Sequence, residues 1–236
     1  MSTSDPSSER AGDNRAVWQR LYSESQKVNR YPHDSVVTFV MRNFGRAQNR
    51  AAVRLLDYGC GGGGNAAFLV REGYAVYAID GSEAAARHEA MTVEVETRGE
   101  GRAQIAVAEF KHLPFADGFF DGVIDRQSLG QNPSVALPAL VGEIKRVMKP
   151  GGLYFGINFS TGHPQLCFGR DLGGGDYDAF EKGVFKGIGM RHFFTEAEVR
   201  RLFAQFRIRD IRTLLQQSLL SRDEGSEEMI VIAARP

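Results

Sequence analysis

Four carboxylates stand at or just past the ends of apolar runs: Asp57, Asp80, Glu109 and Asp125. Between the first two lies Gly59-Cys60-Gly61-Gly62-Gly63-Gly64, followed by an apolar stretch and then Tyr74-Ala75-Val76-Tyr77-Ala78-Ile79-Asp80-Gly81. This order reads as a buried strand, a glycine turn, a helix and a second strand ending in an acid. A glycine turn at a helix start offers backbone amides to a ligand, and the acid on the next strand accepts from ribose hydroxyls. Asp80 is therefore the expected ribose ligand, with Gly59 and Gly61 letting the backbone come close.

Gly59-x-Gly61-x-x-Gly64 also satisfies the dinucleotide fingerprint, a signal several cofactors share. Asp57, two residues before Gly59, bears on the choice among them. A carboxylate there repels a pyrophosphate and suits a cation. S-adenosylmethionine carries a sulfonium and an ammonium, whereas NAD and ATP carry phosphates, so the acid favours S-adenosylmethionine. Glu109, with the bulky Phe110 beside it, has the chemistry to bind an adenine amine and cover its ring.

The elements that must hold these residues follow from periodicity. Val53 to Asp57, Ala75 to Ile79, Ile105 to Ala108, Asp121 to Asp125 and Leu153 to Phe159 read as strands. Helices are expected over 65–71, from Ser82 to about Arg98, and from about Val135 to Met148. Phe206 to Leu214 and Glu228 to Ala233 have no helix between them and can pair as an antiparallel hairpin. The fold class is α/β: a Rossmann-like, doubly wound sheet, mostly parallel with a C-terminal antiparallel hairpin and helices on both faces. Right-handed crossovers bring the strand ends to one edge, where ligands of such sheets bind.

Residues 1–14 read as a disordered tail, 15–50 as a helical lid or flank with Asp34 capping its second helix, and 51–236 as the cofactor domain. Within it, about 160–190 loses periodicity and reads as a long insertion. Thr195 and Glu198 form an expected capping box. Lys+Arg and Asp+Glu are both 29, so the balanced charge offers no argument for nucleic acid. Arg200, Arg201, Arg207, Arg209 and Arg212 read as a solvated face. Two cysteines make neither a disulfide framework nor a metal set, and no apolar run is long enough for a bilayer, so a cytoplasmic protein is expected.

The chain resembles class I S-adenosylmethionine-dependent methyltransferases over about residues 50 to 233. The matching segments are Leu56-Asp57-Tyr58-Gly59-Cys60-Gly61, Asp80-Gly81-Ser82, Glu109 with Leu113-Pro114-Phe115, Phe120-Asp121, Val147-Met148-Lys149-Pro150-Gly151-Gly152 and His192-Phe193-Phe194-Thr195. The resemblance implies that Asp57, Gly59 and Gly61 surround the methionine moiety, Asp80 the ribose, and Glu109 with Phe110 the adenine; Cys60 and Gly81 go with these segments. Glu109 stands where that family more often has aspartate, and Gly62-Gly63-Gly64 exceeds its glycine pattern. Asp125-Arg126 and the following Gln127 to Asn132, with Asn29-Arg30-Tyr31-Pro32, resemble a subgroup associated with surface carbohydrate or secondary-metabolite pathways. Asp125 faces the cationic end of the cofactor or pairs with Arg126 or Arg30; both readings stay open.

Methyl transfer from a sulfonium is an in-line displacement, for which alignment and exclusion of water matter most. His163 and His192, at the borders of the insertion, are the candidate general bases. His33, His88 and His112 read as surface residues, and Trp18, Tyr22 and Tyr31 as an aromatic stripe or a cover over the cofactor. The expected activity is O-methylation of a small polar acceptor, a saccharide or secondary metabolite, with a homodimer allowed and no metal. The rivals are an NAD(P)-dependent oxidoreductase and a non-catalytic S-adenosylmethionine-binding subunit.

Overall fold

Leu55 and Leu56 are both fully buried yet enter different cores, because successive strand side chains point to opposite faces. They belong to β1 (Arg54–Tyr58), which pairs in parallel with β2 (Ala75–Asp80) on one side and β4 (Phe120–Arg126) on the other. Beyond β2 lies β3 (Ala103–Val107), and beyond β4 lies β5 (Met148–Phe159). The sheet closes with the antiparallel pair β9 (Arg207–Gln217) and β10 (Gly225–Ala234), giving the order β3-β2-β1-β4-β5-β10-β9. The computed structural model describes residues 14–24, 29–99, 103–221 and 224–236. The expected doubly wound sheet with its C-terminal hairpin is what forms.

Helices cover both faces. On one, α5 (Leu137–Val147) buries Leu137, Leu140, Val141, Ile144 and Val147, a helical stripe against Leu56, Phe120 and Tyr154. On the other, α2 (Asp34–Asn43) and α3 (Gly64–Arg71) pack on Leu55, Ile124 and Phe155, with the Phe39 ring stacked on Phe155 at 4.8 Å. Asp34 is the first helical residue of α2 and not its cap; His33 holds the cap position without a side-chain bond. An acid there still faces the positive end of the helix. Ser82 caps α4 (Glu83–Thr97) as expected, accepting from Ala85 N.

The stretch expected to be an irregular insertion is organised. It carries a small sheet of β6 (Arg170–Gly173), β7 (Asp176–Asp178) and β8 (Arg191–His192), over an aromatic core of Phe180, Phe185 and Phe193. Strands of two to four residues joined by glycines are too short to show a period of two. The first helix, α1 (Asn14–Ser23), packs on this unit through Leu21, so Asn14 is ordered, contrary to the expected tail. Residues 1–13 and 25–28 lie outside the described ones, and with them most of the expected tail.

Candidate active site

The sheet reverses its strand order between β1 and β4, and the crevice at their ends holds the site. After β1 the chain turns through Gly59 and Cys60, whose amides both donate to Ile79 O at 2.8 and 3.0 Å. Gly61 has φ +56°, a left-handed conformation that suits glycine, and its N–H donates to Asp80 Oδ2 at 3.1 Å. Asp80 also accepts from Ser82 N at 2.8 Å. The extra glycines tighten this region. A Cβ on Gly62 or Gly64 would strike the backbone of Asn29 or Tyr31, so the chain before α2 crosses directly over the turn.

A cavity of about 400 Å³ opens from this turn. Gly59, Asp80, Gly81, Glu109, Phe110 and Arg126 line it around the turn; Trp18, Gln131, Met190 and Arg191 line the rest of its wall. Phe110 lies 4.6 Å from the Tyr58 ring, which fixes it against the crevice. Cys60 and Gly61 line a smaller cleft beside the turn with Tyr31, His33 and again Arg126. Helix α1 bridges two parts of the wall of the main cavity. Gln19 Oε1 accepts from Ser82 Oγ and Ala84 N at 2.9 and 3.1 Å, while Trp18 Nε1 donates to Gln131 Oε1 at 3.1 Å. Of the two N-terminal helices, α1 covers the site and α2 is part of the core.

The floor under the turn is acidic. Asp57 is 1% exposed, bonded to Asn65 and to Ala66 N, and its Oδ2 has no partner among the described residues. Burial raises its pKa to about 7, and that of Asp80 to about 6. Glu89, not anticipated from the sequence, is fully buried against Cys60; burial and then Asp57 push its carboxyl well up. Burial favours the neutral forms of these acids in the empty site, which weakens the repulsion of a pyrophosphate expected from Asp57.

Asp125 does not face the crevice and pairs with neither Arg126 nor Arg30. It is fully buried and accepts from Ser128 N, Leu129 N, Tyr154 OH and Asn158 Nδ2 at 2.7 to 3.2 Å, fixing the turn after β4. Arg30 pairs with Glu96 at 2.6 Å. Arg126 does reach the site, and its Nε is buried without a hydrogen-bond partner among the described residues.

Neither expected base lines the main cavity. His163 is 3% exposed among the rings of Phe159, Phe185 and Phe193, and burial lowers its pKa to about 4. His192 is fully buried between Asp176 at 2.7 Å and Glu198 at 2.9 Å. Burial lowers its pKa, but the bonds to the two carboxylates outweigh that and raise it. Glu198 is therefore spent on His192, while Thr195 caps α6 (Glu196–Leu202) alone, accepting from Glu198 N. His88 is half-buried, its Nε2 bonded to Tyr22 O at 2.8 Å, and His112 is exposed.

Arg191 was not singled out from the sequence. It is 4% exposed and lines the cavity, with Nε and Nη1 unpartnered among the described residues. The signal was a lone cation in the apolar run Ile188 to Phe194.

Comparison with known proteins agrees with this geometry. The sheet order and the crevice are those of the class I S-adenosylmethionine-dependent methyltransferase fold. Residues 56–156 match the family described as methyltransferase domain, which is consistent with a methyltransferase that uses S-adenosylmethionine. A 24-methylenesterol C-methyltransferase of Oryza sativa subsp. japonica is 32% identical over 118 residues, 48% of this chain and 31% of that protein. The chain spans less than half the length of the curated relatives it matches. A Burkholderia thailandensis 1,6-didemethyltoxoflavin-N1-methyltransferase, solved with S-adenosylhomocysteine and 1,6-didemethyltoxoflavin, superposes with TM-score 0.70 at 19% identity, covering 100% of this chain and 92% of that one. The cyclase SpnF superposes with TM-score 0.67 at 18% identity, covering 96% and 98%. Relatives of one fold thus act on different atoms, so the reaction must be argued from the site. Among the described residues no helix is long and apolar enough to cross a membrane.

Proposed function

We propose that this protein transfers a methyl group from S-adenosylmethionine to an oxygen of a small acceptor held between α1 and the insertion. One observation carries the reading: a half-buried carboxylate, Asp80, is anchored by Gly61 N and Ser82 N at the cavity wall, beside an acidic floor. The residues fit the cofactor. Asp57 Oδ2 and Arg126 Nε are buried polar atoms without partners near the glycine turn, and an amino acid's ammonium and carboxylate are their chemical complements. Asp80 would accept from both ribose hydroxyls, and Glu109 with Phe110 would frame the adenine.

When bound, the cofactor supplies an already activated methyl group. The chain's part is to align the acceptor and exclude water, which α1 does by closing over the cavity. Among the described residues no imidazole lines the main cavity, and burial raises the Tyr22 phenol well above its ordinary value. An acceptor oxygen ionised at neutral pH, such as a carboxylate or an acidic phenol, needs no base there. The Trp18 and Tyr22 walls favour a planar secondary metabolite over a saccharide. Both cysteines are free, in keeping with a reducing cytoplasm.

Transfer of labelled methyl to acidic metabolites, paired with calorimetry of S-adenosylhomocysteine against NADH, tests the reading. Binding of the first nucleoside with turnover supports it. Preference for NADH would revive the oxidoreductase, and tight binding without turnover on any fraction would favour a non-catalytic subunit.

A further inference from the structure

Three arginines line the cavity; Arg15 is exposed, whereas Arg126 and Arg191 are drawn further in, and the carboxylate of a bound methionine moiety needs only one of that inner pair. Arg126 lies against Gly59, Cys60 and Gly61, where that carboxylate is expected. Arg191 lines the main cavity but not that smaller cleft, and stands on β8 of the small sheet. Its guanidinium carbon sits 5.4 Å from the Trp18 ring centroid, 5.7 Å from Phe159 and 5.8 Å from Phe185. Among the described residues no carboxylate or carbonyl bonds to it, and its Nε and Nη1 are buried and idle.

Withdrawing an ion from water costs several kcal/mol unless a partner compensates, and arginines that only support a fold are usually paired. Ring faces compensate in part. Burial, and after it the charge of a second cation, Arg126, lower the Arg191 pKa to about 9. A buried, unpaired guanidinium on a cavity wall is a receptor for an anion.

We propose that Arg191 anchors an anionic group of the methyl acceptor, so that the acceptor is a small planar organic oxyanion, a carboxylate or a phosphate monoester. The inference rests on the reading of this cavity as an acceptor pocket. The anion meets the guanidinium while the apolar body of the molecule lies against Trp18 and Met190. Arg191 then sets which acceptors enter and at what angle they meet the methyl group.

The test is calorimetry of the full chain in two stages. S-adenosylhomocysteine is titrated first into wild type, Arg191→Gln, Arg191→Lys and Arg126→Gln. The saturated proteins then receive benzoate, salicylate and indole-3-acetate, their carboxamides, and phenyl phosphate. Wild type should bind an anion about tenfold or more above its neutral partner, the size of a charge-assisted bond. Arg191→Gln should lose that preference with nucleoside affinity nearly unchanged, while Arg191→Lys keeps part of it. The better of the carboxylate and phosphate arms names the group. Equal binding of acid and amide by wild type overturns the proposal, as does an anion preference that survives Arg191→Gln. A loss of nucleoside affinity in Arg191→Gln equal to that in Arg126→Gln would assign Arg191 to the cofactor and overturn it too. Failure of wild type to bind the nucleoside, seen before any acceptor is added, would remove the methyltransferase reading itself. Retained nucleoside binding certifies that each variant is folded.

Discussion

Asn14 and Met190 are bonded to each other in both directions: Asn14 Nδ2 donates to Met190 O at 2.8 Å, and Met190 N donates to Asn14 Oδ1 at 3.0 Å. One side-chain amide thus satisfies both backbone groups of a residue far along the chain, next to Arg191. The same Nδ2 also reaches Gln131 O. Three segments of the cavity wall meet at this amide.

Replacing Asn14 by Ala should therefore loosen the cover without touching the cofactor's own contacts. The orphaned Met190 groups cost about 1–3 kcal/mol if they stay dry. Melting should fall by a few degrees, the acceptor KM should rise, and S-adenosylhomocysteine affinity should fall far less. Equal losses for acceptor and nucleoside would mean that α1 belongs to the cofactor site as a whole.

Asp80 gives the site a pH dependence. Burial holds its pKa at about 6, above the ordinary 3.8. A carboxylate accepts strongly from ribose hydroxyls, whereas a protonated carboxyl loses the charge that strengthens those bonds. Nucleoside affinity should be level above pH 7 and weaken as pH falls through 6. Asp80→Asn should bind about 10- to 100-fold more weakly at pH 8, in line with a lost charged hydrogen bond, and show little change between pH 5 and 8. Calorimetry across that range reads both effects; an Asp80→Asn protein with wild-type affinity would remove the ribose assignment.

Asp57 opposes stability in the ligand-free protein. Its folded pKa is about 7, against 3.8 ordinarily, so between these values the folded chain holds a proton that the unfolded chain has lost. Stability from this group is present below pH 4 and falls away as pH rises through 7. Asp57→Asn keeps an acceptor for Ala66 N and removes the charge. Above pH 7 it should be more stable than wild type by an amount on the order of a few kcal/mol, the gap closing near pH 4. The same substitution should weaken nucleoside binding, a familiar exchange of function for stability. Urea unfolding at pH 4 and 8 is the measurement, and an unchanged gap at the two values would contradict the linkage.

Local signals made the cofactor half readable. Strand, glycine turn, helix and acid follow one another within the segment from Leu55 to Asp80, and the buried stripe of α5 lies along one helical face. The acceptor half was not readable, because its contacts join residues far apart in the chain. Asp125 looked like a cofactor ligand until Tyr154 and Asn158 were seen to take its oxygens. His192 had the chemistry of a base, but Asp176 and Glu198 hold both of its nitrogens. Arg191 becomes conspicuous only when Trp18 and Phe159 are found around it.

His163 separates a structural from a chemical role. Its pKa of about 4 follows from burial among rings, so the folded chain keeps it neutral while the unfolded chain takes a proton near 6.5. Between pH 6.5 and 4 the unfolded state binds more protons, and stability should fall as pH falls through that window. His163→Phe keeps the ring and removes the titration. It gives up the bond that Nδ1 accepts from Gln165 N at 3.2 Å, which lowers stability by about 1 kcal/mol at pH 8. The variant's unfolding midpoint should then change less than wild type between pH 7 and 5. Methyl transfer at pH 8 should remain within about threefold of wild type, since ring-for-ring packing leaves the cavity wall in place. A collapse of kcat with nucleoside affinity intact would instead restore His163 as the base that the sequence suggested.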